Sequence, residues 1–158
     1  MILMRLALSK IFPQLDIILS LDMDTIVNEN ISELWNLDLG DNYFAAAIEP
    51  IKSTDTFLSI NAGVMLINLK KLREDKKDDE LINALNTKEY KFPEQDCITE
   101  LCQNHILILP PDYNMNDSVD YKNAHFRRII HYAGLKEWRK YGLVKKYQQM
   151  PIDNLPRD

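Results

Sequence analysis

The sequence predicts an α/β fold, on three observations. Short apolar runs of strand length recur along the chain: DIILSL at 16–21, YFAAAIEP at 43–50, INAGVMLINL at 60–69 and ILIL at 106–109. Between them lie stretches with apolar residues at one-turn spacing, so strands and helices alternate. The 158 residues, 46% hydrophobic and 27% charged, suit one domain, 1–158, with its own core.

Taken in order, MILMRLALSKIF is apolar but broken by Arg5 and Lys10, and residues 2–12 read as an amphipathic helix that Pro13 stops. DIILSL follows as a short strand. In NENISELW, Asn28 or Asn30 can cap a short helix carrying Ile31, Leu34 and Trp35. YFAAAIEP is a buried strand ended by Pro50. INAGVMLINL is the strongest strand, and Gly63 within it signals a bulge or a close backbone approach. Asn68 can cap the next helix, whose charge run REDKKDDE (73–80) reads as a solvated face before Leu81, Ile82 and Leu85 resume the apolar side. KFPEQDCITELCQN is a turn feeding a helix with Ile98, Leu101 and Cys102 inward. ILIL is a strand ended by Pro110 and Pro111, 112–127 is polar and irregular, RIIHYAG (128–134) is a last strand, and KEWRKYGLVKKY is a C-terminal helix.

Composition excludes some classes. A formal net charge of -5 argues against a nucleic-acid partner. No run approaches the roughly 18 apolar residues of a membrane span, and no small-residue cleavage site follows the apolar start, so the expected location is cytoplasmic. Cys97 and Cys102 are five apart, neither a redox pair nor a zinc spacing, and are read as reduced and structural.

LSLDMDTIV carries the chemistry. Residues two apart on a strand share a side, so Asp22 and Asp24 should face together at the carboxyl end of DIILSL, where open α/β sheets place ligands. Two carboxylates held this close repel, and a hard divalent cation such as Mn²⁺ or Mg²⁺ relieves the repulsion. A solvated turn is the plain alternative. Phosphatases of the haloacid-dehalogenase type also place D-x-D after an apolar strand, but their motif continues with a small residue and then Thr. Here Thr25 directly follows Asp24, and the only Asp-Asp doublet, Asp78-Asp79, sits in the charge run.

Three further stretches belong with this pair: INAGVMLINL with Asn61 and Gly63, FPEQDCIT with Glu94, Gln95 and Asp96, and RIIHYAGLKEW with His131, Gly134 and Lys136. In that order, and over nearly the whole chain from about Arg5 to about Tyr141, they resemble glycosyltransferase family 8, the group of glycogenin and the bacterial lipooligosaccharide galactosyltransferases. LSLDMDTIV is similar to YLDxDxxV, INAGVMLINL to FNAGVxLxNL, EQDCI to DQDxxN and IIHYAGLKEW to HxxGxxKPW. The resemblance implies a GT-A-type mixed sheet flanked by helices and the transfer of a hexose from a UDP-sugar to a saccharide acceptor, with retention, in lipopolysaccharide or cell-surface glycan synthesis. It implies Asp22, Asp24 and His131 as ligands of Mn²⁺ or Mg²⁺, Lys136 and Gly134 at the donor phosphates, and Asn61 and Glu94 on the donor sugar. Gln95 would lie beneath the anomeric carbon. A neutral amide is a poor nucleophile, which favours entry of the acceptor hydroxyl beside the departing phosphate. Asp96 would be an acid behind these contacts or on the acceptor side.

The sequence departs from the family pattern in places. Glu94 replaces the usual Asp, Lys136 stands two rather than three residues after Gly134, and Glu137 replaces a proline before Trp138. The family's N-terminal βαβ portion, which holds most uridine contacts, has no counterpart before DIILSL. The chain is therefore expected to be the C-terminal part of such a domain, either active, or a remnant binding metal and sugar without a nucleotide pocket. DIILSL would have an exposed edge or face able to pair with a missing N-terminal half. Lys136, Arg139, Lys140, Lys145 and Lys146 form either a solvated helix face or a peripheral contact with anionic lipid.

Overall fold

The computed structural model of the chain describes residues 2–49, 58–116, 128–134 and 144–145. The apolar start winds as a 3₁₀ helix over Ile2–Ala7 and continues as α1 (Leu8–Ile11). Next come β1 (Ile17–Leu21), β2 (Thr25–Val27), α2 (Ser32–Trp35), β3 (Phe44–Ile48) and β4 (Ile60–Asn68). α3 (Leu69–Glu74), α4 (Lys77–Thr87), α5 (Pro93–Cys102), β5 (Ile106–Leu109) and β6 (Ile129–His131) complete the described elements.

Four strands form one mixed sheet in the order β1-β4-β3-β5. β4 runs antiparallel to both β1 and β3, and β5 runs parallel to β3. β3 and β4 are apolar without alternation because both of their faces are covered. Phe44, Ala46, Met65 and Ile67 pack into a cluster with Leu72, Leu81 and Ile98 from α3, α4 and α5. Ala45, Ala47, Val64 and Leu66 face the other way, onto Leu34, Leu39, Tyr113 and Ile129. β2 and β6 form a separate antiparallel ribbon, with Thr25 opposite His131.

Several sequence expectations change. The charge run is not one helix: Lys76 takes a left-handed conformation (φ 53°) and divides α3 from α4. Within it Asp78 is buried, accepting a 2.6 Å hydrogen bond from the Ser9 hydroxyl, so it ties the N-terminal segment to α4 instead of facing solvent. α2 buries Leu34 but leaves Trp35 53% exposed, because a single turn turns only one large side chain inward. Asn68 does cap α3, accepting from the Lys71 amide. The last strand is only three residues long. The C-terminal helix, with Lys136, Arg139, Lys140 and Lys146, lies outside the described residues, of which Val144 and Lys145 are helical. No helix among the described residues is long and apolar enough to cross a membrane.

β1 has β4 on one side and no strand on the other among the described residues. Met4, Ile11, Leu15, Leu21 and Met23 are exposed on the same N-terminal stretch of chain.

Candidate functional site

The two aspartates meet for a reason other than strand alternation. β1 ends at Leu21, and Asp22 opens a turn: the Thr25 amide and hydroxyl both return to the Asp22 carbonyl, at 3.1 and 2.7 Å. The Asp22 amide donates to the Gly63 carbonyl at 2.8 Å, and the Asp24 carbonyl accepts from the Tyr132 amide at 2.9 Å. The main chain thus pins one aspartate to the central sheet and the other to the β2–β6 ribbon. That ribbon carries His131 beside them, although more than a hundred residues separate it from Asp22 in sequence.

His131 Nε2 stands 3.3 Å from Asp24 Oδ1 and 3.6 Å from Asp22 Oδ2. One ligand atom from each of the three residues lies within 4.8 Å of the others. The donor set fits a divalent cation: two carboxylate oxygens and an imidazole nitrogen converge on one point. Burial lowers the His131 pKa below its usual value despite the opposing pull of Asp24 and Asp22, so the ring is neutral near pH 7 and its nitrogen is free to bind a metal. Asp22 divides its oxygens, giving Oδ1 to the Arg5 guanidinium and turning Oδ2 to the cluster.

Gly63 explains the glycine in INAGVMLINL. The pairing of β3 with β4 slips between Ala46 and Ala47, which lie opposite Met65 and Asn61, so Ala62, Gly63 and Val64 bulge out of the ladder. A Cβ on Gly63 would overlap the His131 ring, so the missing side chain is the space that the imidazole occupies.

The cluster lies in the wall of a cavity of about 750 Å³. Of the sequence-predicted residues, Asp22, Asp24, Asn61, Glu94, Gln95, His131 and Gly134 all line it. Glu94 is 2% exposed, with neither carboxylate oxygen hydrogen-bonded among the described residues, and its nearest cation is Arg5 Nε at 3.5 Å. Burial pushes its carboxyl up to about 7; Arg5 opposes the shift and Asp22 adds to it. Gln95 accepts from the Ala62 amide at 3.4 Å, and its Nε2 is buried without a partner among the described residues. Gly134 has φ +74°, a left-handed conformation that suits glycine at the rim.

Two expectations shift. Asn61 lines the cavity, but its amide is engaged inward, with Nδ2 donating to Glu49 and Oδ1 accepting from Gly63 and Asn114. Asp96 does not line the cavity: its Oδ2 accepts from the Phe92 amide at 2.8 Å and so closes the first turn of α5. Asp78-Asp79, the doublet weighed for a phosphatase, is likewise not in the cavity wall. Lys136 lies outside the described residues.

Sequence reasoning missed Arg5 and Asn114. Arg5 is read there only as a break in an apolar helix, yet its guanidinium reaches Asp22 and the Ala62 carbonyl from a side chain 15% exposed. The available signal was a lone arginine inside an apolar run, which needs a buried acceptor. Asn114 hydrogen-bonds His131 from a polar, irregular segment that carries no periodicity to reveal it.

Comparison with known proteins agrees with this architecture. Residues 1–142 match the family described as glycosyl transferase family 8. A lipopolysaccharide 1,2-glucosyltransferase of Escherichia coli K12 is 28% identical over 170 residues, covering 90% of this chain and 50% of that protein. The crystal structure of the glycosyltransferase GlyE of Streptococcus pneumoniae TIGR4 superposes with a TM-score of 0.80 at 26% identity, covering 96% of this chain and 43% of that one. The galactosyltransferase LgtC, solved with donor and acceptor sugar analogues, shares the fold at a TM-score of 0.64 and 22% identity, over 94% of this chain and 68% of that one. The chain spans about half the length of the curated relatives it matches over most of its own length. With residues 1–142 matched and the mixed sheet shared with GT-A-type enzymes, the chain belongs to glycosyl transferase family 8.

Proposed function

We propose that this chain carries the metal- and sugar-binding part of a retaining hexosyltransferase that moves a sugar from a UDP-sugar to a saccharide acceptor in lipopolysaccharide or cell-surface glycan synthesis. The observation that carries the reading is the convergence of Asp22, Asp24 and His131 within 4.8 Å in the wall of the cavity. Those three residues would hold Mn²⁺ or Mg²⁺, which supplies positive charge to the diphosphate as the leaving group departs. Glu94 and Asn61 would meet the donor sugar, and Arg5, which touches both Glu94 and Asp22, would lie between that sugar and the metal ligands. Gln95 presents an Nε2 without a partner among the described residues, a donor suited to a sugar or acceptor oxygen beneath the anomeric carbon. Gly134 brings bare backbone to the rim, where a phosphate can approach, and Lys136 would add a cation two residues later. Asp96, engaged as a helix cap, acts through the placement of Glu94 and Gln95 on the first turn of α5. The side of β1 that has no strand among the described residues is where a further strand of a longer or split protein would pair, and the basic C-terminal segment is the candidate contact with anionic lipid.

Isothermal titration tests the assignment. Mn²⁺ is expected to bind the folded chain, Asp24→Asn is expected to lose that binding, and UDP is expected to bind only with Mn²⁺ present. The half-length match to its relatives favours one second reading, a remnant that keeps metal but lacks a nucleotide pocket. That reading predicts heat with Mn²⁺ and none with UDP. No heat with either ligand from a folded chain overturns both.

A further inference from the structure

We propose that Asn114 is a positioning residue: it holds the His131 imidazole in its Nδ1–H tautomer and so keeps a bare Nε2 lone pair aimed between Asp22 and Asp24. The proposal rests on the metal reading of those three residues but concerns a different group. Asn114 is fully buried, and its Oδ1 lies 2.9 Å from His131 Nδ1. Its place is set by the main chain, since the Met115 amide donates to the Ile129 carbonyl and the His131 amide donates to the Met115 carbonyl.

Fixed backbone groups decide the polarity of the chain of hydrogen bonds. The Gly63 amide can only donate, and it meets Asn61 Oδ1 at 2.9 Å. The Glu49 carboxylate accepts from Asn61 Nδ2 at 2.9 Å. Both contacts require the same orientation of the Asn61 amide. Asn61 therefore shows Asn114 two acceptors, its Oδ1 at 3.0 Å and its carbonyl at 3.3 Å, and both receive Asn114 Nδ2. A flipped Asn114 would set its oxygen against both acceptors, so Oδ1 must face the histidine. Both ring nitrogens face acceptors, Nδ1 the fixed Asn114 Oδ1 at 2.9 Å and Nε2 the Asp24 carboxylate at 3.3 Å; the shorter contact, whose acceptor cannot turn away, keeps the proton on Nδ1, and in a neutral ring Nε2 is then unprotonated. Nε2 is the nitrogen 3.3 and 3.6 Å from the aspartates. Gly63 contributes twice, through its amide and through the space that the ring fills.

The test is nitrogen NMR of the metal-free full chain labelled with ¹⁵N-histidine, at about pH 8 where imidazole is neutral, with His131 assigned by its loss in His131→Gln. The expected wild-type spectrum shows one tautomer with the proton on Nδ1. In folded Asn114→Ala the tautomers are expected to mix, and Mn²⁺ affinity by titration is expected to fall about 10- to 100-fold, as for other partners of metal-binding histidines. A wild-type ring protonated on Nε2, or a folded Asn114→Ala with tautomer and affinity unchanged, overturns the proposal. If Asn114→Ala does not fold, the wild-type spectrum decides alone. A wild-type chain that binds no Mn²⁺ removes the metal reading, and the tautomer still decides the role of Asn114.

Discussion

Glu94 shows how one buried side chain shapes the site. In an open position its carboxyl would titrate near 4.5; here burial raises it to about 7, because the Arg5 contact at 3.5 Å does not replace the lost water. The raised folded value sets the sign of the linkage. The contribution to stability is fully present below about pH 4.5 and is lost as pH rises through about 7, a swing of about 3 kcal/mol at most. Glu94→Gln keeps the shape and removes the charge. Urea denaturation of the metal-free chain at pH 5 and pH 8 should show the variant gaining on the wild type at pH 8, with little difference at pH 5. Parallel pH dependence in the two proteins would mean that Glu94 is ionised through the whole range.

At the scale of elements, the site depends on a defect in a strand. β4 is one of the two inner strands, antiparallel to both neighbours, and a regular ladder would leave no room for a side chain from the β2–β6 ribbon. The slip opposite Ala46 and Ala47 pushes Gly63 out of the β3 pairing, so that its carbonyl takes the Asp22 amide and its bare Cα takes the His131 ring. Gly63→Ala should therefore leave the sheet assembled while displacing His131. The expected cost is about 1–3 kcal/mol of stability from overpacking and a loss of Mn²⁺ affinity of about 10- to 100-fold, read by urea denaturation and titration calorimetry. An alanine variant with wild-type affinity would show that the imidazole reaches the metal from another direction.

For the molecule as a whole, the side of β1 without a strand among the described residues matters most. A strand edge with no neighbour among the described residues, on a chain segment that also exposes Ile11 and Leu15, is a template for pairing with another chain. Sedimentation velocity of the chain alone should show association that grows with protein concentration. Replacing Ile11 and Leu15 together with Lys should weaken it, because a charged flank resists docking. A wild-type chain that stays monomeric at high concentration would show that the edge is protected as it stands.

Local sequence alone was enough for the strands 43–50, 60–69 and 106–109, the Asn68 cap and seven of the residues that line the cavity. These are local properties: apolar runs bounded by proline or polar residues, and ordered short motifs. How the pieces act depends on packing between distant segments. Asp22 and Asp24 converge through a turn and two main-chain anchors, not through strand alternation. Asp96 serves as a cap, Asp78 is a buried tie to Ser9, and Asn61 is turned toward Glu49 and Asn114. Arg5 and Asn114 join the site from an apolar helix and an irregular segment. The physical reason is common to all of them: which group satisfies a buried polar atom depends on residues distant in the chain, and no local pattern records that partner.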